Sequence, residues 1–493
     1  MKVILAGFNL DYETIREWGA ARPSAGNLTP ETVAAAYARI SRSPKPLQEL
    51  RAIARGEVEK ARQSNRNIVF EMGHSSIAEH AVFNIDVLGV SRLLVEEIEK
   101  FRLCSYTEKS QRYVLFGEDF VIPEEIRDTR LETPYVEMIR DQNRFYHRLY
   151  DRLRPYVFEM NVDLARDPAN RSTLEGWAKE DARYIISLAT QTQLGMTINA
   201  RNLELMLRRL AAHPLIEAGL FSRQLHGAVK DAAPSLIRYT EATPYDRQTR
   251  AALRQQVAAL TEKMDFRRPS GDDEPVRLVQ ATPEADERIL AALIHSSSDL
   301  PMALCRQAAR IMSGREREAL VRTALQYLSV HDPVIREFEY ADLLFELTIS
   351  ASCFAQLKRH RMATLTGQDY DPTLGVTVPP AVAAVGLEGS FREIIARTDA
   401  LHVELKKAAP AAAACILTNA HRRRVALKVN ARELYHIARL RADGHAQWDI
   451  RETALRMIAL AREAMPLTLM LAAGKDAFAE LYGRTFPQGS PFS

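Results

Sequence analysis

The chain has 493 residues, which is too long for one ordinary domain and predicts roughly two to four. Hydrophobic residues make up 46% of the sequence and charged residues 26%, so wholesale disorder is excluded. Lys and Arg number 66 against 63 Asp and Glu, and a net charge of +3 excludes a broad basic surface of the kind that binds duplex nucleic acid.

The first residues, Met1 to Leu5, form a short apolar run that soon meets acidic residues, which predicts a β-strand and not a signal peptide. No apolar run reaches the roughly 18 residues that a membrane span requires, so no membrane association is expected. The four cysteines are far apart and form no C-x-x-C pair, which argues against a zinc ribbon and a dithiol redox motif. These features predict a cytoplasmic protein in a reducing compartment.

Two halves of the chain repeat the same order of predicted elements. The segment from Arg267 to Pro275, rich in Pro, Ser, Gly and Asp, is typical of a linker between them. Val276 to Ala281 predicts a second opening strand, followed by a helix as after the first strand. The blocks Ile77 to Arg102 and Glu339 to Arg361 each begin with β-strand character and then turn helical.

Each of these blocks leads into a polar segment and then into a long helical stretch with an Asn-Ala-Arg triplet. The polar segments are predicted as loops and read SYTEKSQRYV from Ser105 and MATLTGQDYDP from Met362. The helical stretches read INARNLELMLRRL from Ile198 and VNARELYHIARLR from Val429. The same order in both halves indicates tandem homologous domains that have diverged.

The first polar segment carries a carboxylate, a hydroxyl, an amide and a guanidinium in Glu108, Ser110, Gln111 and Arg112. An arginine can form a bidentate pair with a phosphate, and hydroxyl and backbone donors can complete such a site. The loop is therefore a candidate for binding an anionic ligand. A solvated surface loop is the alternative that the local sequence leaves open.

Arg359, His360 and Arg361 place three groups that can be cationic next to one another at the end of a predicted helix. A phosphate or an electron-rich ring would offset their repulsion, which is about 1 kcal/mol for each exposed pair. Complementation of the helix dipole is the alternative explanation.

Arg441, His445 and Trp448 have the spacing i, i+4, i+7, which predicts that they share one face of a helix. Such a face suits a bound ligand, or an intrahelical network with Asp443 or Asp449.

His74, Glu79 and His80 suggest a metal site, but the spacing i, i+5, i+6 does not converge on one helical face, so no metal is predicted. The sequence also lacks G-x-G-x-x-G, Walker, G-x-S-x-G and H-E-x-x-H motifs. Rossmann, P-loop, hydrolase and zincin proteins are therefore disfavoured.

Together these motifs resemble the flavin-dependent thymidylate synthase family, twice in one chain. That family carries H-x-S/T-x-x-E-H, then RHR followed by S-x-x-E-x-S-x-R, and further downstream an N-A-R…L-R-A-x-x-H-A helix. The first half has HSSIAEH from His74, GVSR from Gly89 and SYTEKSQRYV from Ser105. The second half has RHR from Arg359 and VNAR…LRADGHAQWDI from Val429.

The resemblance implies an α+β fold in which each copy is a helix-rich domain around a small, mostly antiparallel sheet. The implied boundaries are 1–245 for the first copy, 246–275 for a linker helix and linker, and 276–493 for the second copy. It also implies reductive methylation of dUMP to dTMP with FAD, NADPH and methylene-tetrahydrofolate, without a cysteine nucleophile. Family enzymes are homotetramers, so a tandem chain is expected to form a homodimer that acts as a pseudo-tetramer.

The resemblance also implies roles for individual residues. The catalytic residue is Arg441, whose guanidinium would stabilise the anionic uracil ring. The residues assigned to the nucleotide are Glu108, Ser110, Gln111, Arg112, Arg183 and Gln356. The residues assigned to flavin are His74, Ser76, Asn199, Arg201, Arg359, His360, Arg361, Asn430, Arg432 and His436.

The two copies depart from the family pattern in complementary ways. In the first copy the triplet KFR, beginning at Lys100, replaces RHR. In the second copy Gly367, Asp369 and Asp371 stand where Glu, Ser and Arg are expected, and Ala414 replaces a nucleotide-binding Arg. Each copy has therefore lost roughly what the other has kept.

We therefore expect one composite site for each pair of unlike copies. The first copy would hold the nucleotide through its polar loop and Arg183. The second copy would supply the groups that act on flavin and base: Asn430, Arg432, His436 and Arg441. The RHR triplet would belong to a reciprocal site with Asn199 and Arg201 and without a phosphate loop. Two alternatives remain: an enzyme that methylates another pyrimidine nucleotide, and a non-catalytic flavin- or nucleotide-binding protein.

Overall fold

The computed structural model describes residues 1–20, 28–110, 112, 114–115, 117–264 and 274–487. We refer to residues 1–245 as the N-terminal repeat and to 276–493 as the C-terminal repeat. The described strands of the N-terminal repeat are β1 (Lys2–Phe8), β2 (Val82–Ser91), β3 (Ser105–Glu108) and β4 (Gln191–Asn199). Those of the C-terminal repeat are β5 (Val276–Ala281), β6 (Asp342–Ser350), β7 (Thr364–Gly367) and β8 (Arg422–Asn430).

Helices make up most of the remaining chain. Those of the N-terminal repeat are α1 (Tyr12–Ala20), α2 (Glu31–Arg39), α3 (Leu47–Gly56), α4 (Val58–Arg66), α5 (Arg92–Ile98), α6 (Glu132–Met160), α7 (Val162–Ala165), α8 (Arg171–Ala182), α9 (Ala200–Ala211) and α10 (Ile216–Val229), followed by α11 (Pro244–Thr261). Those of the C-terminal repeat are α12 (Ala285–Ser296), α13 (Met302–Ile311), α14 (Gly314–Leu325), α15 (Ala351–Leu357), α16 (Pro380–Ala384), α17 (Glu388–Ala408), α18 (Ala431–Arg441), α19 (Trp448–Ala464) and α20 (Lys475–Thr485).

The two sheets have the same topology. Their strand orders are β1-β2-β4-β3 and β5-β6-β8-β7, and every neighbouring pair is antiparallel. Val82 pairs with Asn199 at the start of β2, as Asp342 pairs with Asn430 at the start of β6. The predicted opening strands and the predicted α+β fold in two tandem copies are therefore confirmed.

Hydrophobic alternation explains why each sheet buries one face. In β2 the side chains of Phe83, Ile85 and Val87 are buried at alternate positions, and β6 has the same pattern. Residues of α9 and α10 join this core in the N-terminal repeat, and residues of α18 and α19 join the corresponding core in the C-terminal repeat. The opposite face and the strand ends are left for polar groups.

Two compact units form within the chain, and they do not follow the repeat boundaries. One comprises Met1–Arg267 with Val385–Leu417, and the other comprises Arg268–Ala384 with Thr418–Ser493. In the first unit α17 packs against α6, where Gln142 Nε2 donates a hydrogen bond to Thr398 Oγ1 at 2.9 Å. The domain boundaries at residues 245 and 275 stay a prediction.

Two segments predicted as loops begin as strands. Ser105–Glu108 and Thr364–Gly367 are the short edge strands β3 and β7, paired with β4 and β8. Such short, largely polar strands bury too little apolar surface for a hydrophobic pattern to reveal them. The predicted linker helix is present as α11, which begins at Pro244, two residues before the predicted boundary. Most of the linker from Arg267 to Pro275 lies outside the described residues.

None of the helices that the structure describes is long and apolar enough to cross a membrane. All four cysteines are buried and carry free thiols. Burial raises the pKa of the Cys353 and Cys415 thiols well above the ordinary value. Because the thiolate is the reactive form, these two side chains are poor nucleophiles at neutral pH.

Candidate functional site

A cluster of arginines and carboxylates lies where β3 ends in the N-terminal repeat. Ser91 caps α5 by accepting a hydrogen bond from Leu94 N, which fixes Arg92 in the first turn. Arg92 forms an ion pair with Glu108, the last residue of β3. From the neighbouring strand β4, Thr192 Oγ1 donates to Glu108 Oε1 at 3.2 Å. Glu108 is therefore held in place from two sides.

Arg112 and Arg183 extend this cluster. Arg112 pairs through Nε with Glu180 on α8, and its backbone N–H donates to Ser110 Oγ at 3.1 Å. Arg183 directly follows α8 and is only 6% exposed. Gln111, predicted in the same loop, lies outside the described residues. Four of the residues predicted to bind the nucleotide are thus described in this part of the N-terminal repeat.

The guanidinium of Arg183 is buried close to Glu180 and to two other arginines. Its pKa is lowered, chiefly because burial removes hydration, and the nearby Arg112 and Arg92 add to this effect against the attraction of Glu180. An arginine stays protonated at neutral pH, so the lowered pKa means that the charged form is held in unfavourable surroundings.

A second cluster joins the RHR triplet to α18 in the C-terminal repeat. His360 is only 4% exposed, and its Nδ1 lies 3.3 Å from Glu433 Oε1. Arg441, the last residue of α18, donates from Nε to His360 Nε2 at 3.0 Å. The ring centroids of His360 and His436 lie 5.5 Å apart. This cluster combines a guanidinium, two imidazoles and a carboxylate.

These contacts fix the protonation of His360. Because Arg441 donates to Nε2, that nitrogen carries no proton, and the proton of the neutral imidazole sits on Nδ1, facing Glu433. Burial lowers the pKa of His360, and Arg441 and His436 act in the same direction against Glu433. His360 is therefore neutral at pH 7 and holds one edge of the Arg441 guanidinium.

This geometry corrects two predictions. The assignment of the RHR triplet to a site separate from Arg441 is wrong, because His360 and Arg441 are hydrogen-bonded to each other. The shared helical face of Arg441, His445 and Trp448 is also wrong, because α18 ends at the first of these residues and α19 begins at the last. Between the helices His445 is exposed and pairs with Asp443 at 2.9 Å, so the partner is one that the alternative named but the pair is not intrahelical.

His360, Glu433 and His436 also have a geometry that metals use, since one ligand atom from each lies within 4.8 Å of the others. The protein itself already occupies both nitrogens of His360, and a cationic guanidinium lies against Nε2. A metal ion would have to displace that guanidinium and the Nδ1 proton. We therefore interpret the group as a hydrogen-bonded chain that holds Arg441.

Asn199 and Asn430, which the resemblance assigns to flavin, are helix N-caps in both repeats. Asn199 Oδ1 accepts from Asn202 N at 2.9 Å, and Asn430 Oδ1 accepts from Glu433 N at 2.8 Å. Capping of α9 and α18 explains why both repeats carry this residue. A contact with flavin stays a prediction for each.

Arg201 and Arg432 make the same ion pair in each repeat. Arg201 pairs with Glu79 on the turn before β2, and Arg432 pairs with Glu339 at 3.2 Å on the turn before β6. Each pair joins the start of a helix to the turn that precedes a central strand. His74 and Ser76 precede the first of these carboxylates and are exposed.

The remaining predicted residues lie around the buried histidine of the RHR triplet. Arg359 and Arg361 flank it, and both are exposed. Gln356, one turn earlier, is buried and its Nε2 lies 3.4 Å from Gln447 Oε1. The structure thus brings a buried amide and two exposed cations to the neighbourhood of the second cluster.

In the N-terminal repeat, two described positions that correspond to this second cluster carry apolar side chains. Phe101 takes the position of His360 and packs against the hydrophobic core. Leu210 has the position in α9 that Arg441 has in α18, counted from the capping asparagine. Its side chain is buried in the same core. Both polar partners are therefore replaced by apolar residues.

Three residues of the two clusters were not predicted: Arg92, Glu180 and Glu433. Arg92 directly follows a serine at the end of a predicted strand, which is a signal for a helix N-terminus. Glu180 and Glu433 stand three residues before Arg183 and His436, a spacing that places side chains side by side on a helix. These signals are present in the sequence but are not specific to a site.

A family profile described as thymidylate synthase complementing protein, Thy1, matches residues 26–235 and 277–467. One match lies in each repeat, and together they cover more than half of the chain. The chain belongs to this family. The two matches confirm the tandem arrangement and the predicted resemblance.

The relatives of this family member include both single-repeat and tandem lengths. A flavin-dependent thymidylate synthase of Clostridium tetani is 30% identical over 215 residues, which cover 43% of this chain and 82% of the relative. A UPF0159 protein of Thermoplasma acidophilum is 24% identical over 474 residues, which cover 86% of this chain and 91% of the relative. The family is one of enzymes, and the relatives named flavin-dependent thymidylate synthase indicate that its enzymes use flavin.

Two solved structures of similar chains each correspond to about half of this one. A flavin-dependent thymidylate synthase of Helicobacter pylori, complexed with FAD and dUMP, is 18% identical with a TM-score of 0.30, and the match covers 49% of this chain and 100% of that one. A UMP/dUMP methylase, PolB of Streptomyces cacaoi, bound with 5-Br dUMP, is 18% identical with a TM-score of 0.33, covering 48% and 92%.

Proposed function

We propose that the chain catalyses the flavin-dependent reductive methylation of dUMP to dTMP, with methylene-tetrahydrofolate as carbon donor and NADPH as reductant. One observation carries the proposal. The arginine cluster of the N-terminal repeat and the His360–Arg441 cluster of the C-terminal repeat each lack a counterpart in the other repeat. Together they contain guanidiniums for an anion and a guanidinium for a base, which are the groups that one nucleotide requires.

The N-terminal cluster suits the phosphate and sugar. Arg112 and Arg183 have planar guanidiniums that match the geometry of a phosphate, and Ser110 offers a hydroxyl donor. The buried charge of Arg183 gains from a dianion, and Glu180 orients Arg112 through its Nε. Glu108, held in place on both sides, would accept a hydrogen bond from a sugar hydroxyl.

The C-terminal cluster suits the base. Methylation at C5 requires electron density in the uracil ring, and a cation beside N3 and O4 stabilises the anionic form of that ring. Arg441 would supply this cation. His360, neutral and fixed by Glu433, holds the Nε edge of the guanidinium and so restricts its orientation.

The cysteines favour a mechanism without a thiolate nucleophile. All four are buried, and burial raises the pKa of the Cys353 and Cys415 thiols. A covalent thiol adduct with the ring would require one of these side chains to reach the substrate. The activation of the ring is therefore assigned to Arg441.

We propose FAD as the cofactor, which in its reduced form would supply a hydride. The residues next to the His360–Arg441 cluster suit such a group. Arg359 and Arg361 are exposed cations that can meet phosphates, and the exposed ring of His436 can lie against an aromatic ring system. His74 and Ser76 are a second exposed pair that the family resemblance assigns to flavin.

We further propose that the two clusters act on the same nucleotide and that two chains assemble as a pseudo-tetramer. The complementary loss of residues in the two repeats supports this proposal. Mixing Arg112→Ala chains with Arg441→Ala chains tests whether clusters from different chains cooperate. Recovery of activity in the mixture would support assembly between chains.

The experiment that tests the function is direct. Purified protein is incubated with dUMP, methylene-tetrahydrofolate and NADPH, and dTMP is measured by mass spectrometry. We expect dTMP and a visible flavin spectrum that changes when dUMP is added. A colourless protein that forms no dTMP would contradict the proposal, whereas methylation of UMP or dCMP alone would indicate another pyrimidine acceptor.

A non-catalytic nucleotide-binding protein is the second candidate. Asp369 and Asp371 in the C-terminal loop favour it, because carboxylates repel a phosphate at that position. In that case dUMP would bind to the purified chain without any product in the assay above.

A further inference from the structure

Arg423 places a charged side chain at a core-facing position of β8. Along this strand Val425, Leu427 and Val429 are buried at alternate positions, and Arg423 precedes them in the series with 7% exposure. Alternate side chains of a strand point to the same face of the sheet. The guanidinium is therefore directed inward, where a cation requires partners.

The partners come mainly from the loop that follows β7. Arg423 donates from Nε and Nη2 to the backbone oxygen of Gln368, at 2.8 and 2.5 Å. Its guanidinium carbon lies 4.5 Å from the ring centre of Tyr370 and 4.6 Å from that of Phe354. A Cβ atom added at Gly367 would lie 3.0 Å from two guanidinium nitrogens. The guanidinium thus fills the space beside the loop.

The N-terminal repeat carries different residues at the three corresponding positions. Glu108 and Gly367 end the edge strands β3 and β7. Thr192 and Arg423 are the second residues of the adjacent strands β4 and β8. Arg92 and Ala351 are the first residues of the helices α5 and α15. In the N-terminal repeat the guanidinium comes from the helix and pairs with a carboxylate. In the C-terminal repeat it comes from the strand and pairs with the backbone of the loop itself.

We propose that Arg423 closes the C-terminal loop from within, so that each chain binds one nucleotide, whose phosphate is held by the N-terminal cluster alone. The inference rests on the proposed function. A guanidinium that is bonded to Gln368 and stacked between two rings is committed to the loop. Asp369 is exposed in the same loop, so a phosphate approaching it meets negative charge.

Hydrogen–deuterium exchange of the full-length, flavin-containing protein tests the two loops separately. Addition of dUMP is expected to slow exchange in the loop after β3 and to leave the loop after β7 unchanged. Protection of the loop after β7 by dUMP would overturn the inference. Calorimetric titration is expected to give one dUMP site per chain, and two sites would overturn it equally.

The Arg423→Thr variant tests the closure without any ligand. Threonine is the residue that the N-terminal repeat carries at this position. Exchange in the loop after β7 is expected to rise about tenfold, because two hydrogen bonds and two ring contacts are lost. Arg424→Thr is the matched control, since it removes the same charge from the opposite face of β8.

Failure of this inference is distinguishable from failure of the proposed function. If Arg423→Thr exchanges no faster than Arg424→Thr, Arg423 does not close the loop, whatever the protein catalyses. If dUMP protects neither loop and no dTMP forms, the proposed function fails, while the comparison of the two threonine variants still decides whether Arg423 holds the loop.

Discussion

In the N-terminal repeat Ser91 caps α5 and donates to Glu217 at 2.6 Å, and in the C-terminal repeat Ser350 caps α15 and donates to Asp449 at 2.5 Å. The asparagine caps of α9 and α18 and the arginine–glutamate pairs beside them are likewise present twice. These contacts join helices to the ends of strands or to the turns before them. The fold depends on them in each repeat, so both repeats retain them.

The side chains of the two clusters differ between the repeats. The N-terminal repeat has Arg92, Arg112 and Arg183 among carboxylates, and the C-terminal repeat has His360 and Arg441. The comparison separates residues that maintain the framework from residues that are free to specialise. Substitutions chosen from each class should therefore have different consequences.

The largest effect is expected for Arg441→Ala. Loss of the guanidinium that would stabilise the anionic ring should lower the rate of dTMP formation by about a hundredfold or more, with flavin content unchanged. Steady-state kinetics would measure it. Arg456→Ala, an exposed arginine on α19 that pairs with Glu274, is the control and should retain full activity. Equal rates in the two variants would exclude a catalytic role for Arg441.

Arg183→Met should weaken dUMP binding by about ten- to a hundredfold, since a hydrogen bond to a charged group contributes roughly 1.5–3 kcal/mol. Deoxyuridine, which has no phosphate, should bind the variant and the wild type equally. Calorimetric titration with both compounds measures the difference. Arg171→Met, at the exposed start of α8, is the control, and a variant that weakens both compounds alike would contradict a phosphate contact.

Asn199→Ala and Asn430→Ala should each lower the free energy of unfolding by about 1 kcal/mol, as expected for loss of an N-cap. Denaturant unfolding would compare them. We expect only Asn430→Ala to lower the flavin content of the purified protein as well, because Asn430 lies in the same repeat as the His360–Arg441 cluster. If the flavin contents stay equal, Asn430 is a cap and nothing more.

The smallest effect concerns pH and a single group. The pKa of His360 is lowered from 6.5 by burial, so the folded state binds fewer protons there than the unfolded state. Stability should therefore fall as the pH drops below about 6.5, and His360→Asn, which does not titrate, should remove that part of the pH dependence. Thermal unfolding from pH 7 to 5 checks this. An identical pH profile for both proteins would mean that the pKa of His360 is the same in the folded and unfolded states, contrary to its burial against Arg441.

The tandem fold follows from the sequence because its main signals are local and occur twice. Alternating apolar residues mark β2 and β6, and the Asn-Ala-Arg triplets mark the starts of α9 and α18. The edge strands β3 and β7 are missed because four half-exposed residues give no periodic pattern. The assignment of α17 to a unit with α6 depends on tertiary packing that no local pattern encodes.

The sequence does not predict how the candidate residues are grouped. His360 and Arg441 are far apart in sequence, and their contact follows from the way α18 ends beside the loop between α15 and β7. The end of α18 had a signal in Gly444, since glycine is common just after a helix C-terminus. There the added Cβ of another residue would lie 3.0 Å from Asp476 Oδ2, so that the Asp476 side chain would have to shift.

The burial of every native cysteine makes the chain a convenient host for a spectroscopic probe. A cysteine introduced at Lys109 or Gln368, which are exposed at matching places in the two polar loops, would react with a maleimide dye far faster than any native thiol. One labelled protein for each loop would then report, in real time and without further mutation, which half of the molecule responds when a nucleotide is added.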